Sequence, residues 1–303
     1  MAYRWCYRDG SHGDGGPVKQ EATGPGMMLA LVLWLGVAAP EASSSADAVA
    51  RGDAHYARRD QGAAGARADP RRVEQAILEY RRALRLEPGS IGARYRLLRA
   101  FFFRATFCGA GHEEQRRLFD EAKRVSEEGV ARLLHDVGPV TAAARLGALR
   151  EVPDATRLFF WAAASWGEWA QRHSRLSAAS QGAAARVRDL AQTVIDLDPE
   201  LEEGGGYRIL GRLHDLSPRL PLLTGWVSRQ AALENLRRAN ALAPDNSVNQ
   251  LFLAEAILRH EPKHREEAQA LLRRLASAVP SAAYAVEDAY FGERARETLA
   301  GLR

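Results

Sequence analysis

One spacing of small and apolar residues before a proline recurs along the chain, and it constrains the fold more than any other feature. In the segment VEQAILEYRRALRLEPGS, Ala76, Tyr80, Ala83 and Pro88 follow one another at steps of four, three and five residues. The same steps recur through Ala232, Leu236, Ala239 and Pro244, through Ala268, Leu272, Leu275 and Pro280, and through Val187, Ala191, Val194 and Pro199. Steps of four and three place residues on one face of a helix. The proline then ends the helix, because it lacks an N–H group and disfavours helical backbone at the residue before it.

A second pattern precedes these segments and predicts the helix that pairs with each of them. The segments WAAASWGEWA, YRILGRLH and NQLFLAEAIL each place a very small residue directly after a larger apolar one, at Gly167, Gly211 and Ala254. A small residue at this position lets two antiparallel helices cross closely. We therefore predict helical hairpins in which the proline-ended segment is the second arm.

The paired segments resemble the tetratricopeptide repeat (TPR), a helix–turn–helix unit of about 34 residues. The resemblance implies an all-α fold, with antiparallel helical hairpins stacked as a degenerate TPR-like solenoid over residues 47–303. About five hairpins fit between Asp47 and Pro280, and we expect a final helix from about Ala283 to Leu299 to cap the array. The composition agrees, since Ala, Arg, Leu and Glu dominate and all four are strong helix formers.

The N-terminal part of the chain carries the pattern of an export signal. Residues 27–39 form an apolar run that is followed by small residues, and this run is shorter than the roughly 20 residues that a membrane-spanning helix needs. We predict a disordered leader over residues 1–26 and a signal peptide over residues 27–46, cleaved between about Ala39 and Ala46. The mature chain is then periplasmic or secreted and has no membrane span, whereas a leader that does not function leaves the protein cytoplasmic.

The charge and the chemistry-bearing residues argue against several functional classes. The formal net charge of +4 over 303 residues is small, and the chain lacks the basic stripe with interleaved aromatic residues that is typical of nucleic-acid binding. Cys108 is the single cysteine after the leader, and the HExxH and GxSxG motifs do not occur. We therefore predict no nucleic-acid partner, no metal, no cofactor and no enzymatic activity.

The stretch GGGYRILGRLHD begins at Gly204 and contains glycines without a phosphate-binding motif. The third glycine of the dinucleotide-binding pattern falls on Ile209, and no Lys-Ser or Lys-Thr follows Gly211. We predict that the glycines open a first arm and permit an unusual backbone turn there. An alternative remains open, in which Arg208 and Tyr207, close to a helix start, hold a carboxylate ligand.

Two unusually aromatic segments, LFFWAAASWGEWAQ and AFFFRATFCGAG, leave a choice between core and ligand site. The helix with Trp161, Trp166 and Trp169 is either buried from both sides or lines a groove for an apolar or amphipathic ligand. Phe103 belongs to a run of phenylalanines that cannot all face one core, so the run lies between two layers of helices or partly against a cavity. An aromatic-lined groove formed by these four residues is therefore the basis of a second candidate function, small-ligand binding.

The segment from Gly204 to Pro280, together with the LFFWAAASWGEWA helix, is similar to a branch of exported bacterial repeat proteins, the T-components of TRAP transporters. The resemblance implies a periplasmic helical protein that partners the solute-binding protein of a TRAP uptake system. The chain departs from a membrane-tethered protein in having no cysteine directly after the apolar run. The leading hypothesis is an exported, non-enzymatic repeat protein that binds another protein and helps to deliver a small ligand to a transporter.

Overall fold

The computed structural model describes residues 44–220 and 224–302, which fold into α-helices joined by short connections. Their bounds are α1 (Ser45–Tyr56), α2 (Pro70–Leu86), α3 (Ile91–Phe107), α4 (His112–Val137), α5 (Ala142–Arg150), α6 (Ala155–Arg172), α7 (Arg175–Ser180), α8 (Ala183–Leu197), α9 (Leu201–Leu216), α10 (Arg229–Leu242), α11 (Ser247–His260), α12 (Arg265–Ser277) and α13 (Ala285–Ala300). Single 3-10 turns precede α12 and α13. No strand occurs within these residues, and the all-α prediction is confirmed.

Local sequence signals explain where the helices begin and end. The Asp69 side chain accepts the first free N–H of α2, with proline in the first turn, and Asn246 accepts two such N–H groups at the start of α11. Side-chain acceptors at this position satisfy donors that have no partner within the helix. The helices α2, α8 and α10 each end two residues before the predicted proline, at Pro88, Pro199 and Pro244.

The helices pair in chain order as antiparallel hairpins. Contacts join α1 to α2, α3 to α4, α6 to α8, α9 to α10 and α11 to α12, and α13 packs on α12. The five predicted hairpins and the capping C-terminal helix are therefore present. Two short helices interrupt the pattern without having been predicted, since α5 packs beside α6 and α8, and α7 lies between these two arms.

The repeat positions lie where the two arms of a hairpin meet. A Cβ atom added to Gly211 would lie 2.7 Å from Cγ of Leu236 and 3.1 Å from the carbonyl oxygen of Ala232. This spacing shows how closely α9 and α10 cross. The fully buried repeat positions are Ala76, Tyr80, Ala83, Ala191, Val194, Ala232, Leu236, Ala239, Ala268 and Leu272.

Three of the first arms, α3, α6 and α11, form an inner layer whose central residues are all buried. Every residue is buried over 97–107 in α3, over 158–169 in α6 and over 247–257 in α11. A helix with buried residues around its whole circumference belongs to the interior of a protein. The phenylalanine run of α3 therefore lies between layers of helices, which settles that choice left open by the sequence.

The two ends of the array meet, so the inner helices close into a ring. In chain order α3, α6, α9, α11 and α13 each contact the next, and α13 contacts α3 again. Across this junction, the Phe107 ring lies 5.4 Å from Tyr290 and 6.2 Å from Phe291, measured between centroids. Arg59, in the loop after α1, also forms an ion pair of 2.8 Å with Glu287 of α13. Ring closure was not predicted, because the repeat pattern predicts contacts between neighbouring units only.

The predicted leader and signal peptide lie outside the described residues, except for the last three positions of the predicted signal peptide. There Ser44 caps α1, since its side chain accepts the N–H of Asp47 and the Asp47 side chain accepts the N–H of Ser44. The start of the helical array at Ser45 thus falls just inside the predicted cleavage region. Among the helices described, none combines the length and apolar character that crossing a membrane requires.

Candidate functional site

The aromatic residues that the sequence suggested as a groove lie in the core. Trp161 and Phe103 are 1% exposed, and Trp166 and Trp169 are 3% exposed. The α4 helix covers the last two: Asp120 accepts the indole N–H of Trp169 at 2.8 Å, and the Lys123 ammonium lies 4.3 Å from the Trp166 ring centre. The proposed aromatic-lined groove is therefore not formed by these four side chains, because α3, α4 and α6 close over them.

The three glycines of the stretch GGGYRILGRLHD make a left-handed turn and two close helix contacts. The residues Glu202, Glu203 and Gly204 have φ angles of 54°, 56° and 82° inside α9. A Cβ atom on Gly205 would lie 2.5 Å from the Phe160 ring, and one on Gly206 would lie 2.8 Å from an Ile195 side-chain carbon. The first glycine thus supplies backbone freedom, and the next two let α9 approach α6 and α8.

Arg208 holds this turn and is fully buried. Its Nη2 donates to the carbonyl oxygen of Glu202 at 3.0 Å, and its Nη1 donates to Oδ1 of Asn249 at 2.8 Å. The Asn249 amide in turn donates to the carbonyl oxygens of Glu203 and Ala239, at 3.0 Å and 2.9 Å. This network surrounds Arg208, so its guanidinium holds the turn and is not open to a ligand. Arg208 therefore does not provide the carboxylate site that the sequence left open.

Tyr207, the second residue of that alternative, lies at the surface beside the turn. It is half-buried, and the Arg238 guanidinium lies 5.9 Å from its ring centre. The structure thus separates Tyr207 from Arg208, since one side chain faces α10 near solvent and the other is enclosed.

A groove of about 350 Å³ opens between α6, α7, α8 and the end of α9, and we call it the alanine groove. Its walls are mostly small or aliphatic, and they include Gly167, Ala179, Ala184, Leu213, Leu216 and Ser217. The expected crossing residue Gly167 thus lies on a groove wall. The volume is in the range of about 300–1,000 Å³ that is typical of small-molecule sites.

A second groove, of about 650 Å³, lies on the other side of the α9 terminus, and we call it the basic groove. It is bounded by residues 214–219 and 225–230 and by the end of α11. Basic and aromatic side chains line it, namely His214, His260, Arg219, Arg229 and Trp226. Ser217 lines both grooves, so they adjoin where α9 ends.

His214 offers a hydrogen-bond donor in the basic groove. The backbone N–H of Ser228 donates to its Nδ1 at 3.1 Å, so the hydrogen of a neutral ring is on Nε2. Burial lowers the pKa of His214, and the nearby Arg188 guanidinium lowers it further. The neutral imidazole therefore presents Nε2–H, and the Trp226 ring packs edge-on against it at 5.3 Å.

The one carboxylate that lines the basic groove, Asp215, is already neutralised. Its Oδ2 accepts from Arg212 at 2.8 Å, and its Oδ1 accepts from Arg259 and faces Nε2 of His260 at 2.9 Å. The two arginines and the His260 ring nitrogen occupy both carboxylate oxygens, so Asp215 contributes little free negative charge. The remaining charge of the groove is therefore positive, carried by Arg219 and Arg229.

Other chemistry-bearing side chains form no reactive cluster in the part of the chain that the structure describes. No group of three or more His, Cys, Asp or Glu residues there could hold a metal ion. Cys108 is 4% exposed, and burial raises the pKa of its thiol to about 12. A thiol in that state is not a nucleophile at neutral pH.

Comparison with known proteins shows the fold but no sequence family. No family model matches the chain, and no curated protein matches it. Among solved structures, it is similar to TTC0263, a thermophilic TPR protein of Thermus thermophilus, with a TM-score of 0.51 and 17% identity over 85% of this chain and 98% of that one. It is also similar to Acl4, the assembly chaperone of RpL4, with a TM-score of 0.44 and 16% identity over 86% of this chain and 84% of that one. The first likeness shows that the chain has a TPR-like helical-repeat fold.

Sequence reasoning missed both grooves, and the signals for them were weak. The run SAASQGAAAR supplies α7 and the start of α8, and its alanines leave space instead of filling it. Small residues in a helical sequence also occur where two helices cross closely, so composition alone does not distinguish a groove from a close helix contact. His214 and Trp226 lie in different segments, and their contact is a tertiary one that no local pattern in the sequence records.

Proposed function

We propose that the chain is an exported, non-enzymatic helical-repeat protein that binds another protein through its outer surface. The TPR-like fold supports a binding role, because stacked repeats present extended surfaces rather than enclosed reaction centres. The buried inner helices α3, α6 and α11 direct the proposal to the outer layer, where α2, α4, α8, α10 and α12 lie. Among these, α2 has the surface that fits a partner best.

Two exposed leucines on α2 are the observation that carries the proposal. Leu78 and Leu86 are 61% and 52% exposed, and eight residues apart they share one helix face. Exposed Arg82 lies between them, four residues from each, and exposed Arg85 lies beside it. Apolar residues within a polar rim are typical of protein contact surfaces. The partner surface expected here is apolar at its centre and acidic at its edge.

The solute-binding protein of a TRAP system is the partner that we propose. Two features support it: the resemblance of the Gly204–Pro280 segment to TRAP T-components, and the apolar run before Ser44, which has the pattern of an export signal. In this role the repeat protein holds the solute-binding protein near the transporter, and the α2 face makes the contact.

Capture from the periplasm tests this function. The tagged full-length protein is expressed in its own host, crosslinked and purified, and the captured proteins are identified by mass spectrometry. We expect a TRAP solute-binding protein with the wild-type chain and its loss with Leu78→Glu combined with Leu86→Glu. The matched control is Val279→Glu, since Val279 is 90% exposed outside α2. Recovery of no solute-binding protein, or equal recovery with the α2 variant, would contradict the proposal.

The mass of the mature chain tests export separately. We expect the mature N-terminus between residues 40 and 44, because cleavage in that window preserves the Ser44–Asp47 cap of α1. Loss of a helix cap costs about 1 kcal/mol. An intact N-terminus in the purified cellular protein, or a start beyond Ser44, would show that this assignment is wrong.

A further inference from the structure

The alanine groove and the basic groove differ in chemistry and meet at one helix end. The last turn of α9 separates them: Leu213 and Leu216 face the alanine groove, whereas His214 faces the basic groove. Past the helix, Ser217 lines both. The loop repeats this division, because Thr224 lines the first groove and Gly225 the second.

We propose that these adjoining grooves form one binding site for an amphipathic carboxylate, that is, a carboxylic acid with an unbranched aliphatic chain. The chain lies in the alanine groove, crosses the α9 terminus at Ser217 and places its carboxylate in the basic groove. This site is distinct from the α2 surface and does not depend on the partner proposed above.

Three side chains supply the chemistry for the carboxylate. Arg219 and Arg229 line the basic groove, and neither forms an ion pair with a carboxylate within the described residues. The Nε of Arg219 donates to the carbonyl oxygen of Gly225 at 3.1 Å, which orients the guanidinium and leaves its Nη groups as donors. His214 adds its neutral Nε2–H. Hydrogen bonds from charged donors to a carboxylate are about twice as strong as neutral ones.

The charge distribution selects an anion over a cation or a neutral ligand. Asp215 is the acidic residue among the groove linings, and Arg212, Arg259 and His260 already satisfy it. A bound cation would therefore meet Arg219 and Arg229 without a compensating carboxylate, and the like charges would repel each other. A bound carboxylate instead supplies the negative charge that these two arginines lack in the groove.

The alanine groove selects an unbranched chain. Ala179 and Ala184 on one side and Leu213 and Leu216 on the other present aliphatic carbon with few hydrogen-bond groups. Small side chains line the α7 and α8 walls of this groove, and burial of aliphatic surface there contributes roughly 25 cal/mol per Å² removed from water. The polar residues of this lining include the exposed Arg175, Gln171, and His173, whose ring nitrogens face Trp169 and Asp120.

Isothermal titration calorimetry of the full chain with decanoate tests the site at pH 7.5, below the concentration at which decanoate forms micelles. We expect saturable binding of one decanoate per chain. Decanol has the same chain without the charge and is expected to bind at least tenfold more weakly. Acetate has the head group without the chain, and we expect it not to compete.

Four variants assign the two halves of the site. Arg219→Gln and Arg229→Gln each remove a cation and are expected to weaken decanoate binding about tenfold. Ala184 is half-buried on the wall of the alanine groove, so Ala184→Phe places a large ring in the groove and is expected to abolish saturable binding. Arg273→Gln, on the exposed face of α12, is the matched control and is expected to leave binding unchanged. Circular dichroism verifies that each variant retains the wild-type fold.

Three results would overturn the inference. They are no saturable decanoate binding, equal affinity for decanoate and decanol with no effect of the arginine substitutions, and unchanged affinity in a folded Ala184→Phe variant. Failure of the α2 capture experiment leaves these results untouched, because the two tests use different residues. Decanoate binding likewise does not support the protein partner.

Discussion

The contact between the ends of the array predicts how strongly ring closure stabilises the fold. Arg59 precedes its partner Glu287 by 228 residues, and their side chains are 10% and 2% exposed. Replacing Glu287 by leucine leaves a buried guanidinium without its carboxylate. Removal of one partner from a buried ion pair costs ~3–5 kcal/mol. Arg59 keeps its hydrogen bond to the carbonyl oxygen of Ala283, so we expect a cost of about 3 kcal/mol for Glu287→Leu, at the lower end of that range.

Substitution of both partners separates the ion pair from the rest of the junction. The Arg59 guanidinium also lies 5.0 Å from the Tyr56 ring centre and 5.4 Å from that of Phe103, so methionine at this position retains apolar contact with the rings. Replacing a whole buried ion pair by apolar residues is often neutral or stabilising. We therefore expect Arg59→Met with Glu287→Leu to recover most of the stability, with a coupling energy of at least ~2 kcal/mol.

Urea unfolding measured by circular dichroism gives these free energies, and amide hydrogen exchange shows where the structure opens. Exchange in α13 is expected to accelerate more in Glu287→Leu than in the double variant. The control is the exposed pair Arg124–Glu128, whose side chains are 62% and 52% exposed. Arg124→Leu breaks this pair, leaves Glu128 beside the buried Arg94 and should cost only about 0.3–0.5 kcal/mol. If Glu287→Leu costs no more than this control, or if the two substitutions are additive, the ion pair does not secure the ring.

Three further predictions concern α9 and its neighbours. Gly211→Ala should destabilise the protein by about 1–3 kcal/mol in urea unfolding, because its Cβ atom would meet Leu236 at 2.7 Å, and a stabilising effect from helix propensity alone would refute the close crossing. Gly204→Ala should cost about 1–2 kcal/mol in the same assay, because the φ angle of 82° strains a residue with a side chain. The pKa of His214 lies below its ordinary value of 6.5. The stability that the neutral ring contributes is therefore complete above pH 6.5 and is lost as the pH falls through the lowered folded-state pKa. His214→Gln should flatten this part of the pH profile of the urea midpoint, and an unchanged profile would show that burial and Arg188 do not lower the pKa of His214 in the folded protein.

The sequence predicts the parts of the fold that depend on contacts between neighbouring segments. The prolines at 88, 199 and 244 act on the residue beside them, so their effect is visible in sequence alone. The Ala232–Leu236–Ala239 stripe needs only the next arm to explain it, and Gly211 lies in that arm. Repeat proteins are predictable to this extent because each unit mainly contacts its neighbours.

Ring closure and the candidate sites depend on contacts that no local pattern records. The Arg59–Glu287 pair joins residues at opposite ends of the array. A tryptophan on an apolar helix face has the same spacing whether a ligand or another helix covers it. For Trp166 and Trp169 the covering element is α4, and only the packing of that helix decides between groove and core.

The interruptions of the repeat pattern are where this fold acquires features that a regular solenoid lacks. The insertion between α1 and α2 supplies Arg59, which closes the ring. The extra helix α7 provides one wall of the alanine groove, and the insertion between α9 and α10 borders both grooves. The segments that break the regular spacing thus supply the Arg59–Glu287 contact and line the adjoining grooves.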